Sequence, residues 1–250
     1  MSGYCFCIMT KYFYDLHLHS CLSPCADDDM TPNNIVGMAT LKGLNLLALT
    51  DHNTCKNCPA FFEACRRMGV VPVAGMELST AEDIHLVCLF EHLEHAMAFD
   101  QEVSKHLMNM ENNPQIFGNQ WILNGEDEQI GEEKKLLISA TDLWIEDAIH
   151  LAKSFGAHVH PAHIDRESNG IVSILGTIPD HYGFTVYELK DSANLETCLP
   201  YIPQGNLAQL LFCSDAHHLW DINEAEHFLL LDDEPYSSAL VRKRLFELLG

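Results

Sequence analysis

Short apolar segments alternate with amphipathic helical segments through the first half of the chain. Thr31-Pro32 has the residue types of a helix start, and Gly43 and Gly69 each stand where a predicted helix closes. The strand-like segments are KYFYDLHLH, LNLLALT (44–50), VVPVAGMELS and IHLVCLF (84–90). A strand–helix–strand order is typical of parallel strands joined by crossover helices. The alternation therefore predicts an α/β fold.

The second half of the chain breaks this alternation once. Residues 94–109 and a segment from Thr141 to about Gly156 have helical patterns, whereas 111–138 reads as an inserted excursion with a hairpin turn at Asn124-Gly125. Further strands are predicted in AHVHP, GFTVYELK and LAQLLFCSD, and a closing amphipathic helix in YSSALVRKRLFELLG. At 250 residues and 47% hydrophobic composition, the chain is long enough to bury a sizeable core. We expect a single domain over residues 1–250 that carries an insertion at about 111–138.

The chain is strongly acidic, with 36 acidic and 14 basic side chains and a formal net charge of −22. Repulsion between this charge and phosphate backbones excludes a general binder of nucleic acids or anionic membranes. A nucleotide or a short oligonucleotide can still bind a locally positive pocket, and bound divalent metal would create one.

The sequence carries no sign of membrane insertion or export. No segment approaches the roughly 18 apolar residues that span a bilayer, and the first residues lack the cationic start of a signal peptide. We therefore expect a cytoplasmic, reducing setting in which the ten cysteines are free thiols. Cys55 and Cys58 form a C-x-x-C pair that could be half of a zinc site or a redox pair. The sequence contains no second pair with finger-like spacing, which favours free thiols.

Polar residues that can bind metal fall at the ends of the predicted strands. They are His17 and His19, Asp51 with His52, Glu77, His163, and Asp215 with His217. The C-terminal ends of parallel strands carry the active site in α/β folds, so five strand ends can bring these side chains together. Alternate residues of a strand face one side, so His17 and His19 can point into the same site. Imidazole and carboxylate together suit Zn, Mn or Fe, and Asp51 is placed to orient an imidazole through its second nitrogen.

Each of these residues has a simpler interpretation when it is taken alone. A single H-x-H is weak evidence of a metal site, and the run Asp27–Asp29 is typical of a solvated turn. Arg166 is either a phosphate clamp, because a guanidinium binds phosphate through paired donors, or part of an ordinary surface salt bridge. The joint pattern across five strand ends is what favours a metal site.

Five motifs occur in the order DLHLHS, ALTDHN, GMELS, PAHIDR and CSDAHH. In this order they resemble the PHP (polymerase and histidinol phosphatase) family of metal-dependent phosphoesterases, in its stand-alone bacterial form. The match runs from about Tyr14 to His218, and residues 111–138 are its less characteristic part. The resemblance implies a distorted (β/α)7 barrel with up to three divalent metal ions (Mn, Zn or Fe).

Carried over motif by motif, the resemblance implies nine metal ligands. One ion would be held by His17, His19, Glu77 and Asp215, a second by His52, His217 and Asp27, and a third by His85 and His163 with Glu77 as the bridge. Asp27 has the spacing from Thr31 that the ligand has in related proteins, but Asp28 stays open because the loop SCLSPCADDD is longer. His163 is preferred over His160 because PAHIDR fits the family pattern.

The activity that the resemblance implies is hydrolysis of a phosphate ester of a small metabolite or nucleotide by a hydroxide that bridges the metals. Asp215 and His217 would assist proton movement, and Arg166 would clamp the phosphate. Two alternatives stay open, namely an exonuclease that acts on short RNA or DNA and a non-catalytic metal-binding module. The expected partner is a small phosphorylated substrate or nucleotide, with short oligonucleotides as the alternative, and the sequence does not determine the oligomeric state.

Overall fold

The computed structural model describes residues 9–203 and 209–250. Its strands are β1 (Met9–Asp15), β2 (Leu46–Leu49), β3 (Val71–Ser79), β4 (His85–Phe90), β5 (Trp121–Leu123), β6 (Gln129–Glu132), β7 (Ala157–Pro161), β8 (Val186–Leu189), β9 (Gln209–Phe212) and β10 (Phe228–Asp232). Its helices are α1 (Pro32–Leu41), α2 (Cys58–Met68), α3 (Leu93–His106), α4 (Pro114–Phe117), α5 (Ile145–Ser154), α6 (Ile171–Leu175), α7 (Leu195–Cys198) and α8 (Ser238–Leu249). The predicted α/β fold is confirmed. None of the helices in these two ranges is long and apolar enough to cross a membrane.

Six strands form the main sheet in the order β10-β1-β2-β3-β4-β7. β1, β2 and β3 run parallel, whereas β4 is antiparallel to both β3 and β7, and β10 is antiparallel to β1. The expectation of parallel strands throughout was therefore wrong for β4. Its connection to β3 is the short turn between Ser79 and His85, which is too short for a crossover helix and leaves the two residues paired across a hairpin.

The β8–β9 pair and the segment that follows β9 close the main sheet towards a ring. β8 and β9 form a parallel pair, and β8 packs beside β7. On the other side, Leu18 makes an isolated parallel bridge to Ala216. The backbone N–H of His19 donates to the carbonyl oxygen of Ala216 at 3.1 Å. The segment after β1 therefore meets the segment after β9, and this contact is called the seam below.

The central strands are buried on both faces. In β2, Leu46 and Ala48 join an apolar cluster on one side of the sheet, and Leu47 and Leu49 join the cluster under the helices on the other. Full burial of one such side chain contributes about 1.5–3 kcal/mol of stability. Two-sided burial explains why these strands read as continuous apolar runs rather than as alternating patterns.

The helix ends follow the sequence signals in α1 and α2 but not in α5. The Thr31 side chain caps α1 by accepting from the N–H of Asn34, and Gly69 ends α2 at a φ of 72°. The predicted start of α5 at Thr141 was wrong, since the helix begins at Ile145. The Thr141 hydroxyl donates to Ser79 O at 2.8 Å, and the Glu82 carboxylate accepts from the N–H of Ile145 at 3.1 Å. A side chain from another part of the chain therefore accepts the hydrogen bond of a free N–H in the first turn of α5.

Residues 111–138 contain α4 and the antiparallel hairpin β5–β6, which the sequence predicted. The N–H of Trp121 donates to Cys21 O at 3.2 Å. The Asn119 side chain donates to both carboxylate oxygens of Asp28, at 2.9 and 2.8 Å. The segment therefore lies against the loop at residues 20–30, which is called the ligand loop below.

Candidate metal centre

The predicted ligands lie at one edge of the main sheet. His17 and His19 follow β1, His52 follows β2, and Glu77 lies near the C-terminal end of β3. His163 follows β7, and Asp215 and His217 follow β9. His85 is the first residue of β4, and because β4 runs antiparallel, the start of that strand lies at the same edge. The sheet topology therefore brings together side chains that are up to 200 positions apart.

Glu77 is the centre of the cluster and is fully buried. Its Oε1 lies 2.8 Å from His85 Nδ1, 3.0 Å from His163 Nε2 and 3.4 Å from His17 Nε2. Its Oε2 lies 2.9 Å from His52 Nδ1 and 3.3 Å from His19 Nε2. One carboxylate therefore faces five imidazoles, which is the arrangement expected of a bridging ligand between metal ions.

Asp215 forms the second acidic position of the cluster. Its Oδ1 lies 3.1 Å from His19 Nε2 and 3.5 Å from His17 Nε2. Asp215 has a φ of 51° and His163 a φ of 26°, so both take backbone conformations that L-residues rarely adopt. Such strain at two neighbouring polar residues is a frequent mark of a functional site.

Hydrogen bonds at the far side of three rings fix the direction in which their lone pairs point. His17 Nδ1 is 2.8 Å from Glu188 Oε1, and His217 Nδ1 is 2.9 Å from the backbone oxygen of Asp215. His19 Nδ1 is 3.0 Å from Ser23 Oγ, whose own proton is donated to Asp51. Each neutral ring has one N–H and uses it at Nδ1, so its Nε2 presents a lone pair. This is the usual arrangement of metal-binding histidines.

These lone pairs converge on one another. His17 Nε2 and His19 Nε2 are 3.2 Å apart. Glu77 Oε2 and Asp215 Oδ1 are buried and receive no hydrogen bond from any residue that the structure describes. So many acceptor atoms at this distance repel one another unless a cation lies among them. The donor set therefore fits a multinuclear divalent metal centre.

Three groups of ligand atoms lie close enough together to hold an ion each. They are His17, His19, Glu77 and Asp215; His52, Glu77 and His85; and His19, His52 and His217. Of the nine predicted ligands, seven belong to these groups, and His163 contacts Glu77 beside them. Asp27 is not among them, because its side chain is 50% exposed, accepts from the N–H of Asp29 and lies 3.5 Å from His218.

Glu188, which was not among the predicted site residues, is fully buried on β8. Its Oε1 accepts from the His17 ring at 2.8 Å and from the N–H of His163 at 3.0 Å. Its Oε2 lies 3.7 Å from His160 Nε2. Burial opposes the ionisation of Glu188, but His17 and His160 outweigh it and hold the pKa of this carboxyl well below its usual range. A lone acidic residue inside the apolar stretch TVYEL was the available signal.

Asp51 does not contact a histidine, which corrects its predicted role. Its carboxylate accepts from the N–H and the hydroxyl of Ser20 and from the hydroxyl of Ser23, each at 2.7 Å. Asp51 therefore acts on His19 through Ser23. The prediction failed because the loop after β1 places serine hydroxyls between the carboxylate and the ring.

Arg166 and Lys190 lie at the open side of the cluster. An Arg166 guanidinium nitrogen is 2.5 Å from Asp215 Oδ2, and Lys190 Nζ is 3.9 Å from the same oxygen. Their side chains are 38% and 46% exposed. Arg166 was predicted from the sequence as a phosphate clamp. Lys190, which follows the last residue of β8, was not predicted. Two cations at the rim of a buried acidic centre form a local exception to the acidic character of the chain.

The pattern of the PHP domain family matches residues 15–217. The chain belongs to the PHP domain family. A 5′-3′ exoribonuclease of Haemophilus influenzae is 38% identical over 84 residues, which is 32% of this chain and 29% of that protein.

Solved structures share the fold of this PHP domain. The lesion-specific endonuclease PfuEndoQ of Pyrococcus furiosus superposes with a TM-score of 0.64 and 20% identity over 94% of this chain and 55% of that one. A complex of endonuclease Q with a 27-mer duplex that has an abasic lesion at its active site gives a TM-score of 0.62 and 19% identity, covering 96% and 58% of the two chains. The matched part of the chain thus covers less than a third of the exoribonuclease, and the chain covers little more than half of the endonuclease. The expected distorted barrel is confirmed.

Ionisation in the PHP domain centre is governed by burial and by attraction between the groups. Burial opposes the charge on Asp215, but His17 and His19 outweigh it and hold the pKa of the carboxyl well below its usual range. Burial likewise opposes the charge on Glu77, and His85 and His17 are the main groups that lower its pKa. Both carboxyls are therefore ionised at neutral pH, which is the form that binds metal.

The C-x-x-C pair lies behind the centre of the PHP domain and not in it. Cys55 and Cys58 are both buried within the core under the helices, and Cys55 Sγ donates to Gly75 O at 3.2 Å. Burial and the neighbouring Cys58 raise the pKa of the Cys55 thiol well above its usual value. A protonated, buried thiol is a poor nucleophile and a poor metal ligand. The cysteines that the structure describes are free thiols, as predicted.

Proposed function

We propose that this PHP domain is a metal-dependent phosphoesterase that hydrolyses a phosphate ester of a small phosphorylated metabolite or nucleotide. One observation carries the proposal. Glu77 is fully buried and faces five imidazoles, while Arg166 and Lys190 stand at the open side of the same cluster. A metal-binding floor with a cationic rim suits a substrate that carries a phosphoryl group.

The ligands would hold up to three divalent ions, with Zn, Mn and Fe as the candidates. His17, His19, Glu77 and Asp215 would form the first site, and His52 and His217 the core of the second. His85 and His163 would hold the third, with Glu77 as the bridge. When bound, such ions generate a nucleophile from water at neutral pH and neutralise the charge of the phosphoryl group.

The residues of the chain have separate tasks in this proposal. Glu188 and Ser23 hold the His17 and His19 rings so that Nε2 faces the centre. Arg166 would exchange its contact with Asp215 for phosphate oxygens, with Lys190 beside it. Asp215, whose Oδ2 faces Arg166, and His217 are proposed ligands that would also move the proton that the attacking water loses.

A second candidate is an exonuclease that acts on the end of short RNA or DNA. The H. influenzae relative that matches a third of this chain is a 5′-3′ exoribonuclease, and this similarity favours the candidate. The net charge of −22 opposes long polymers but not a terminal nucleotide. Both candidates break a phosphate ester and would use the same centre.

Setting and partners are also proposals. The free thiols of the described cysteines suit a reducing compartment such as the cytoplasm. The partner would be a phosphorylated small molecule, a nucleotide or a short oligonucleotide.

The test is phosphate release by Mn-loaded protein from sugar phosphates, mononucleotides, nucleoside bisphosphates and 5′-phosphorylated oligonucleotides. We expect release from one class, and loss of that activity in Asp215→Asn. Asp147→Asn is the matched control, because Asp147 is exposed on α5 away from the centre. Full activity in Asp215→Asn would overturn the site. Shortening of oligonucleotides that is strongly suppressed by salt would instead support the exonuclease.

A further inference from the structure

The side chain of Asn57 turns away from the helix that follows it. Asn57 directly precedes α2, where an asparagine commonly accepts a hydrogen bond from the first turn, but its side chain caps none of the described N–H groups of α2. It is fully buried and faces the hairpin β5–β6 instead. Its Nδ2 donates to Trp121 O at 3.1 Å, and its Oδ1 accepts from the N–H of Leu123 at 2.9 Å. The backbone of β5 therefore fixes which end of the amide is the donor.

The second N–H of this amide group reaches the ligand loop. Asn57 Nδ2 donates to Ser20 Oγ at 2.9 Å. Ser20 Oγ also accepts from the N–H of Leu22 at 3.2 Å and donates its own proton to Asp51 Oδ2 at 2.7 Å. A hydroxyl has one proton and two lone pairs, so all three are in use. The direction of the Ser20 proton is therefore set by Asn57 and Asp51 together.

Asp51 links this hydrogen bond to the His19 ring. Its Oδ1 accepts from Ser23 Oγ at 2.7 Å. Ser23 Oγ accepts from the N–H of His52 at 3.2 Å and lies 3.0 Å from His19 Nδ1. Because the Ser23 proton is given to Asp51, the His19 ring must donate at Nδ1, which leaves a lone pair at its Nε2. Every hydrogen bond from Asn57 to His19 thus has a fixed direction.

Residues 111–138 also contact the ligand loop in places that do not involve Asn57. The N–H of Trp121 donates to Cys21 O, and the Asn119 amide donates to Asp28. The first contact ends on a backbone oxygen, and the second ends on an exposed carboxylate. The path through Asn57 differs from both, because all of its side chains are buried and its last member is a proposed metal ligand.

We propose that Asn57 is a positioning residue of the metal centre, through which the hairpin β5–β6 holds the His19 ring with its Nε2 lone pair towards the metal. This inference rests on the proposed metal centre but not on the identity of its substrate. Asn57 acts by way of Ser20, Asp51 and Ser23. The hairpin is then part of the support of the centre, and a chain with all the proposed ligands but without this support would bind metal less tightly.

The test is competition for Zn²⁺ between a chelator and the full-length protein. We expect Asn57→Ala to weaken Zn²⁺ binding about 10-fold, the lower end of the range for residues that support metal ligands. Ser20→Ala should weaken it to a similar degree, although it leaves both hydrogen bonds between Asn57 and β5 in place. Asn33→Ala is the matched control and should keep the affinity, because Asn33 donates to Gly125 O in the turn of the same hairpin but lies outside this path.

A double-mutant cycle separates positioning from general support of the fold. In a Ser23→Ala background, Asn57→Ala should weaken Zn²⁺ binding by less than about threefold further, because the path to His19 is already broken. If Asn57→Ala does not fold by circular dichroism, Ser20→Ala takes its place in the cycle. Additive losses of affinity would overturn the proposal, as would unchanged affinity in the folded variant.

The outcomes also separate this inference from the proposed function. Absence of phosphate release in every assay, with the expected losses of Zn²⁺ affinity, would defeat the proposed activity and support the role of Asn57. Failure of the unmodified chain to bind Zn²⁺ would overturn both.

Discussion

At the scale of single residues, the centre depends on where each imidazole keeps its proton. Glu188, Ser23 and a backbone oxygen take the Nδ1 protons of His17, His19 and His217, which leaves Nε2 free to bind metal. The partner of His17 is the strongest of the three, because a buried carboxylate also compensates positive charge in the centre.

We expect Glu188→Gln to weaken metal binding by about 10–100-fold, because the neutral amide neither compensates charge nor holds the proton at Nδ1 as firmly. The fold should survive, since the two side chains have similar volumes. Competition against a chelator measures the affinity, and circular dichroism checks the fold. Glu196→Gln, an exposed glutamate on α7, should leave the affinity unchanged. Equal affinities for Glu188→Gln and the unmodified chain would show that His17 needs no carboxylate.

Polar residues at or near a strand end could be read from the sequence where a motif marked them. A single acidic residue in a strand without such a motif, and the direction of a loop side chain, could not. His17, His19 and Glu77 were found because apolar runs predict strands and strand ends meet at one edge. Glu188 was missed because it lies within a strand whose other residues are apolar. The direction of Asp27 depends on loop hydrogen bonds that no local pattern specifies.

At the scale of elements, the turn between β3 and β4 places His85 among the proposed ligands. A parallel β4 would have carried its first residue to the opposite edge of the sheet. The signal was present in the sequence, because five residues between Ser79 and His85 suit a hairpin and cannot form a crossover. The helix ends at Thr31 and Gly69 could be predicted because residues that are close in the sequence make these caps without contacts from elsewhere in the chain.

Residues 111–138 pack closely against the ligand loop at Gly118. A Cβ atom at Gly118 would lie 2.1 Å from Pro24 O, and the residue has a φ of 101°. Gly118→Ala should therefore combine backbone strain with a collision and cost about 1–3 kcal/mol beyond strain alone. Gly176→Ala controls for a positive φ without a collision, with nothing within 4 Å of its Cβ. Its φ of 73° and ψ of −1° lie in the left-handed region, so its loss sets a lower bound for the strain at Gly118, which has a ψ of 176°. Urea unfolding of both variants gives the difference, and equal losses would mean that the loop yields without cost.

At the scale of the whole molecule, burial of ionisable groups makes stability depend on pH. His158 lies buried on β7, and burial, with His160 beside it, lowers the pKa of His158 to about 3. In the unfolded chain a histidine has a pKa of about 6.5. Below that value the unfolded chain binds a proton that the folded chain refuses, so the free energy of unfolding falls as the pH falls towards 3.

Between pH 6.5 and pH 5, His158 should remove up to about 2 kcal/mol of stability, at about 1.4 kcal/mol per pH unit. His158→Gln cannot take up this proton, so its stability should fall by that much less over the same interval. Urea unfolding of both proteins at pH 7 and pH 5 measures the two losses. Identical losses would mean that His158 accepts its proton in the folded state.

The seam between Leu18 and Ala216 joins stretches of chain that lie far apart in the sequence. The proposed first metal site includes residues from both sides of this seam, with His17 and His19 on one side and Asp215 on the other. The centre is therefore not a portable module. A fragment that contains all the proposed ligands must run from His17 to His217, and a graft onto another scaffold would have to carry the whole ring. An ion bound there would join the two sides of the seam, so metal binding should add to the backbone contacts that keep the barrel closed.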